Sequence, residues 1–192
     1  MRRANKSNRI LDAGGEVYSP LVEWLFLYGY KYLHVINLSF NQDFARGPIK
    51  YIRGDCTHTP YPSEYFDVIA CLSVIEHRVS IERFLKESHR ILRPGGFLII
   101  STDYWKNHIN IDGKEAYGTE VKILTQQGIQ EMIERASSIG FMPTGEIDYS
   151  TKEKAVHWKR LELDFTFIVF TLVKVEDRDR RENYLKFWKT SP

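Results

Sequence analysis

The chain has 192 residues, 43% of them hydrophobic and 27% charged, which is typical of one globular domain. Its 27 basic and 25 acidic residues give a formal net charge of +2, which argues against bulk nucleic acid as a partner. The basic start, MRRANKSNRI, is followed by no apolar leader, and no apolar run is long enough to span a membrane. We therefore expect a soluble, unsecreted protein.

Cys56 and Cys71 are the two cysteines of the sequence. Their separation fits neither a C-x-x-C redox pair nor a zinc-ligand pattern, so they are most simply free thiols of a reducing compartment. We expect a cytoplasmic location and no metal site.

Strand-like and helix-like segments alternate over most of the chain, which predicts a doubly wound parallel sheet. Short apolar runs predict five strands, at residues 10–11, 32–38, 49–52, 66–72 and 96–102. Three apolar stripes predict helices. The first stripe is Leu21, Trp24, Leu25 and Tyr28 after Ser19-Pro20; the second is Ile81, Phe84, Leu85, Ile91 and Leu92 after Ser80; the third is Ile129, Met132, Ile133, Ala136 and Ile139 between Thr125 and Gly140.

The last two strand-like segments, residues 141–150 and 160–175, have no helix of adequate length between them and should pair antiparallel. The predicted fold is therefore α/β, a Rossmann-like doubly wound sheet of seven strands, mostly parallel, with a C-terminal antiparallel hairpin. We assign residues 1–175 to this domain and residues 176–192 to a charged tail or helix. That tail either docks locally through Tyr184, Leu185 and Trp188 or binds a partner.

Residues 54–102, GDCTHTPYPSEYFDVIACLSVIEHRVSIERFLKESHRILRPGGFLIIST, contain four motifs in order. These are an Asp after the third strand, P-x-x-x-F-D before the fourth, E-H after the fourth, and L-x-P-G-G before the fifth. With these motifs the chain resembles class I S-adenosylmethionine-dependent methyltransferases of the type 11, small-molecule kind, over about residues 9–174. The resemblance implies S-adenosylmethionine as cofactor and a small molecule as substrate.

The loop ILDAGGEVYSP, residues 10–20, lacks the G-x-G-x-x-G spacing of a dinucleotide site. The resemblance implies instead that it curls around the methionine part of the cofactor, with Asp12, Gly14 and Gly15 as cofactor-binding residues. Glu16 stands where the family has a further glycine. Its side chain must either point to solvent or crowd the pocket.

The resemblance implies five further cofactor contacts. Asn37 stands where the family has a carboxylate for the two ribose hydroxyls; its amide can still pair with the diol, and Asn37→Asp is predicted to tighten binding. Leu38 corresponds to a residue that packs on adenine, with a core leucine as the alternative. Asp55 corresponds to the acceptor of the adenine amino group, with a turn residue as the alternative. Cys56 offers its backbone amide, and Ser73 completes the set.

Ligands of open α/β sheets bind beyond the carboxyl ends of the strands. There we expect the catalytic candidates His77, Asp103 and His157, because methyl transfer needs a base when the nucleophile carries a proton of high pKa. His77 has the alternative role of a helix-entry residue that bonds locally. Three aromatic residues could line the site for a sugar or ring substrate or pack as a lid: Tyr104, Trp105 and Trp158.

Two hypotheses of different classes follow. The first is a methyltransferase that uses S-adenosylmethionine to methylate an oxygen or nitrogen of a small, possibly sugar-like molecule. The second is a catalytically inactive member of the fold that serves as a binding or assembly partner, which is favoured by Glu16, by Asn37 and by the few residues before Ile10. The sequence leaves a homo-oligomer open.

Overall fold

A computed structural model describes residues 5–116 and 118–176 of the chain. Nearly all of the predicted tail, including Tyr184, Leu185 and Trp188, lies outside these described residues. Within the described part, no helix has the length and apolar character needed to cross a membrane.

Strands and helices alternate as the sequence predicts. The helices are α1 (Pro20–Leu27), α2 (Ile81–Ile91) and α3 (Gln126–Ile139). The strands are β1 (Arg9–Ala13), β2 (Tyr32–Asn37), β3 (Phe44–Arg46), β4 (Ile49–Arg53), β5 (Phe66–Leu72), β6 (Leu92–Tyr104), β7 (Glu115–Ala116), β8 (Thr119–Glu120), β9 (Phe141–Pro143), β10 (Val156–Trp158) and β11 (Leu163–Lys174).

Over the described residues, the main sheet has nine strands in the order β10-β11-β6-β5-β1-β2-β4-β3, and β9 also pairs with β11. Its centre is parallel, while β11 runs antiparallel to β6, β9 and β10, and β3 runs antiparallel to β4. The predicted α/β class and the antiparallel C-terminal pairing are therefore confirmed. The count exceeds the predicted seven because two three-residue edge strands, β3 and β10, give too short an apolar pattern to be recognised in the sequence.

Helices pack on both faces of this sheet. On one face, Val22 of α1 packs with Leu33, Val35, Ile49 and Tyr51 of β2 and β4. On the other face, α2 and α3 cover the larger core, which is built on every second residue of the central strands. This arrangement is the doubly wound architecture, and it leaves the carboxyl ends of the parallel strands at one edge.

The α1 face of the sheet is exposed at Phe97 of β6 and along part of β11. Strand register places Val173 beside Phe97, Val169 beside Ser101 and Phe167 beside Asp103 on this face. Phe97, Phe167 and Val169 are 42%, 49% and 63% exposed. None of the three described helices covers this half of the face.

The predicted stripe of α1 is wrong at two of its four positions, whereas Leu21 and Leu25 are half-buried and Leu25 packs against the core. Trp24 and Tyr28 are 61% and 73% exposed, the helix ends at Leu27, and its buried residue is Val22. The stripes of α2 and α3 are confirmed, with Ile81 and Ile139 half-buried at the ends. Thr125 caps α3 by accepting a hydrogen bond from the amide of Gly128 at 3.1 Å, whereas the hydroxyls of Ser19 and Ser80 make no such cap bond.

Candidate functional site

A cavity of about 370 Å³ lies at the carboxyl ends of β1, β2, β4 and β5, where the loops after these strands meet. The structure brings six of the predicted site residues together in its lining: Gly14, Asn37, Leu38, Asp55, Cys56 and His77. The other predicted site residues do not line this cavity: Asp12, Gly15, Ser73, Asp103 and His157.

Gly14 brings the backbone of the β1–α1 loop against the cavity. Its φ is +89°, and its amide donates to the carbonyl of Ile36 at 2.8 Å, which ties the loop to β2. A Cβ at this position would lie 2.5 Å from Cγ2 of Val74, so the loop requires glycine here. At Gly15, a Cβ would overlap the buried carboxyl group of Asp12. Asp12 and Gly15 therefore shape the loop from beneath it.

Asn37 and Glu16, the two departures from the family pattern, are in direct contact. Asn37 Nδ2 donates to the carbonyls of Gly14 at 2.9 Å and Gly15 at 3.1 Å, and to Oε1 of Glu16 at 3.1 Å. The same Oε1 accepts from the hydroxyl of Ser39 at 2.8 Å. The half-buried side chain of Glu16 therefore turns along the end of β2.

Leu38 and Asp55 meet the cavity from two neighbouring strands. Leu38 is 69% exposed, which excludes the alternative that it is a core leucine. Asp55 Oδ1 accepts from the amide of Thr57 at 2.7 Å, so the turn role of Asp55 is present. Among the described residues, its Oδ2 has no hydrogen bond. Burial and the adjacent Asp55 raise the pKa of Cys56 to about 11, so its thiol is neutral at physiological pH.

The segment after β5 forms the opposite wall. His77 lines the cavity, and its amide donates to the carbonyl of Val74 at 3.0 Å. Partial desolvation lowers the pKa of the imidazole, which favours its neutral form. Arg78 and Arg83 also line the cavity and were not singled out in the sequence. For Arg83 the sequence carries a signal, because this residue lies in the first turn of a helix that begins after Ser80. Arg78 lies before the helix and carries no such signal.

Three buried carboxyl groups lie at the ends of the central strands. Burial raises the pKa of Asp12 and of Glu76 to about 7 and that of Asp103 to about 6. Thr102 Oγ1 donates to Glu76 Oε2 at 3.2 Å, and the negative charge of Asp103 adds to the rise in the pKa of Glu76. In the part of the chain that the structure describes, no three His, Cys, Asp or Glu side chains are grouped as a metal site.

Ser73 and His157 have local partners. The amide of Ser73 donates to Oγ of Ser101 at 3.1 Å, with φ at +54°. His157 Nδ1 contacts Oδ1 of Asp164 across the β10–β11 pair. The structure thus does not gather the three catalytic candidates: His77 lines the cavity, whereas Asp103 and His157 do not.

The three aromatic residues also do not form a wall of this cavity. Tyr104 is 1% exposed, and its hydroxyl donates to the carbonyl of Tyr149 at 3.3 Å. Trp158 packs in a separate small cluster with Leu163 and Phe165, which supports the lid-packing alternative for this residue. Trp105 stacks beneath the ammonium group of Lys154, whose Nζ is 5.0 Å from the ring centroid.

The chain is similar to known proteins in both sequence and fold. Residues 8–100 match the family model described as a methyltransferase domain. The chain is 24% identical over 176 residues to a sterol 24-C-methyltransferase of Debaryomyces hansenii, an alignment that covers 80% of this chain and 45% of the relative. The chain spans less than half the length of the curated relatives it matches.

Two solved structures show the same fold. An S-adenosylmethionine-dependent methyltransferase from Mesorhizobium loti matches with a TM-score of 0.64 at 18% identity, covering 87% of this chain and 91% of that one. Phosphoethanolamine N-methyltransferase 2 of Haemonchus contortus, solved with S-adenosyl-L-methionine, matches with a TM-score of 0.68 at 16% identity, covering 91% of this chain and 50% of that one. The matched family model therefore shows that residues 8–100 are similar to a methyltransferase domain, and the two structures show that the chain has the fold of S-adenosylmethionine-dependent methyltransferases.

Proposed function

We propose that the chain binds S-adenosylmethionine in the cavity at the carboxyl ends of β1, β2, β4 and β5, and that it methylates an oxygen or nitrogen of a small molecule. The observation that carries the proposal is one cavity lined by a close-approach glycine, Gly14, an exposed apolar side chain, Leu38, and an acceptor, Asp55. Gly14 leaves space for the amino-acid end of the cofactor, Leu38 offers a surface for the flat adenine ring, and Asp55 offers an acceptor for the adenine amino group.

The donor and acceptor chemistry of the lining fits this cofactor. The bare backbone at Gly14 allows the polar amino-acid end to approach, since a side chain there would overlap Val74. Leu38 offers an apolar surface to adenine, and Asp55 keeps Oδ2 for its amino group. When bound, the cofactor supplies a methyl group that the sulfonium sulfur makes electrophilic. Most of the protein's contribution is then to orient the two reactants.

His77 is the proposed base. It lines the cavity, and its lowered pKa keeps the imidazole neutral at physiological pH, so it can accept a proton from an oxygen or nitrogen nucleophile. Asp103 and His157 are not proposed as the base, because a base must reach the proton that it removes and neither residue lines this cavity.

A sugar is not favoured over other small molecules as the substrate, because Tyr104 is buried and Trp158 packs in a separate cluster away from the cavity. The free thiols of Cys56 and Cys71 support a cytoplasmic location as part of the proposal. Proteins named for sterol and tRNA substrates are among the relatives, and their substrates are not carried over.

Calorimetric titration with S-adenosylhomocysteine tests the proposal without knowledge of the acceptor. The informative variant is Asp55→Asn, which keeps Oδ1 for the amide of Thr57 and replaces the outward carboxylate oxygen by an amide nitrogen. We expect the affinity to fall by about tenfold or more, since a charged acceptor contributes about 1.5–3 kcal/mol, with an unchanged thermal midpoint.

Asp43→Asn is the matched control. Asp43 Oδ1 also accepts a hydrogen bond from a backbone amide, that of Arg53 at 2.8 Å, but Asp43 does not line the cavity. Equal affinities for the parent and Asp55→Asn would refute the role of Asp55. No binding by the parent would refute the proposed function and favour the inactive binding or assembly protein.

A further inference from the structure

The amide of Asn37 is oriented by the groups around it. Two of its acceptors are the backbone carbonyls of Gly14 and Gly15, which cannot donate, so the nitrogen must face them. The oxygen, Oδ1, accepts from the amide of Ser39 at 2.8 Å. Rotation of the amide to present its oxygen to a ligand would set that oxygen against two carbonyl oxygens. Asn37 therefore cannot provide paired acceptors for a diol.

Glu16 brings a carboxylate to the same place. Both of its hydrogen bonds, from Asn37 Nδ2 and Ser39 Oγ, end on Oε1. An ionised carboxylate has about four acceptor positions. The two hydrogen bonds occupy two of them, and the others can accept from a ligand. No hydrogen bond to Oε2 is found within the described ranges. Glu16 does not itself line the cavity: its half-buried side chain is hydrogen-bonded to Asn37, which does.

The backbone at Glu16 is not strained by its side chain. The non-glycine residues with positive φ in the described chain are Glu64, Ser73, Arg78 and Glu162, and Glu16 is not one of them. The loop therefore accepts a side chain at this position in an ordinary conformation. Two neighbours, Asn37 and Ser39, hold that side chain through its Oε1.

We infer that the Glu16 carboxylate, held by Asn37 and Ser39, accepts the hydrogen bonds of the cofactor's two ribose hydroxyls. The inference rests on the proposed function, because it assumes that the cavity binds the cofactor. The acceptor reaches the diol from the β1–α1 loop, while the residue at the end of β2 supplies the donors that position it. Charge-assisted bonds of this kind are stronger than those an amide oxygen could make.

The test compares ligands with and without the diol. Parent and Glu16→Gln are titrated with S-adenosylhomocysteine, and adenosine and 2′,3′-dideoxyadenosine are then measured by competition. We expect Glu16→Gln to weaken S-adenosylhomocysteine about tenfold. The parent should prefer adenosine to the dideoxy compound, and the variant should lose most of that preference. Glu23→Gln, a change of the exposed acidic residue on α1, should alter neither measurement.

The outcomes separate the two proposals. Tight binding by the parent with unchanged discrimination in Glu16→Gln would overturn the role of Glu16 and leave the proposed function in place. No binding by the parent would overturn both. Equal weakening of adenosine and dideoxyadenosine in Glu16→Gln would also overturn the inference, because the loss would then not involve the diol. Glu16→Asp, which keeps the charge on a shorter side chain, should fall between parent and Glu16→Gln.

Discussion

Asn37 and Glu16 share one hydrogen-bonded network, so a change at either residue acts on the other. Asn37 donates to Gly14, Gly15 and Glu16 and accepts from Ser39. Replacing Asn37 by a carboxylate would remove Nδ2, the donor of the hydrogen bonds to Gly14, Gly15 and Glu16. It would also place a negative charge against two carbonyl oxygens and a second carboxylate.

We therefore expect Asn37→Asp to weaken binding of S-adenosylhomocysteine and to lower stability, which reverses the expectation from the sequence. Unpaired polar groups of this kind cost about 1–3 kcal/mol each when buried, and the partial exposure of this site places the loss near the lower end. Thermal midpoints and calorimetry at pH 7 measure both effects. The double variant Glu16→Gln/Asn37→Asp should recover part of the lost stability, because it removes the like-charge contact. A higher midpoint or tighter binding in Asn37→Asp would contradict this account.

The sequence identified residues at the cavity better than it identified their roles. Gly14, Leu38, Asp55 and His77 were expected at the site and line one cavity. The contact of Glu16 with Asn37 could not be predicted, since hydrogen-bond direction depends on backbone carbonyls that have no sequence signal. Position at a strand end is set by topology, whereas orientation is set by local neighbours.

At the scale of elements, the β1–α1 loop depends on the close approach of Gly14 to the segment after β5. We expect Gly14→Ala to lower stability by about 2–4 kcal/mol, the sum of about 1 kcal/mol for positive φ and 1–3 for overpacking. Overlap with Val74 is the cause of the larger part. Gly113→Ala is the control, because Gly113 also has positive φ but no atom lies within 4 Å of a Cβ placed there.

Denaturant unfolding of both variants measures the difference. Adding Val74→Ala to Gly14→Ala should return part of the stability and of the S-adenosylhomocysteine binding, because the overlapping methyl groups are removed. Equal losses of stability in Gly14→Ala and Gly113→Ala would show that overlap with Val74 does not destabilise the loop.

Helices α1 and α3 show which elements the sequence could predict. In α3, apolar and polar residues alternate with helical period, and Thr125 and Gly140 mark the ends, so stripe and bounds were both predictable. Helix α1, PLVEWLFL, is apolar nearly all round. Several stripes then fit its sequence equally well, and only packing against β2 and β4 selects Val22 as the buried residue.

At the scale of the whole molecule, the sheet is covered unevenly. Its larger core lies under α2 and α3. On the opposite face α1 covers β2 and β4, while Phe97 of β6 and part of β11 stay exposed among the described residues. The sequence predicts a strand at residues 160–175, but it does not show whether both faces of that strand are covered. That depends on which helices the rest of the chain supplies.

The two faces of β11 should therefore respond very differently to substitution. Leu172 is 0% exposed in the larger core, and Val169 is 63% exposed on the open face. Leu172→Ala is expected to lower the free energy of unfolding by about 2–5 kcal/mol, because it removes buried apolar surface and leaves a cavity. Val169→Ala removes side-chain atoms that already contact solvent, so its effect should stay within about 0.5 kcal/mol. Urea unfolding of the full chain gives both values, with far-ultraviolet circular dichroism to confirm that each variant folds. If Val169→Ala cost as much as Leu172→Ala, the open face would have to be covered in solution, and a concentration-dependent midpoint would identify a second copy of the chain as the cover.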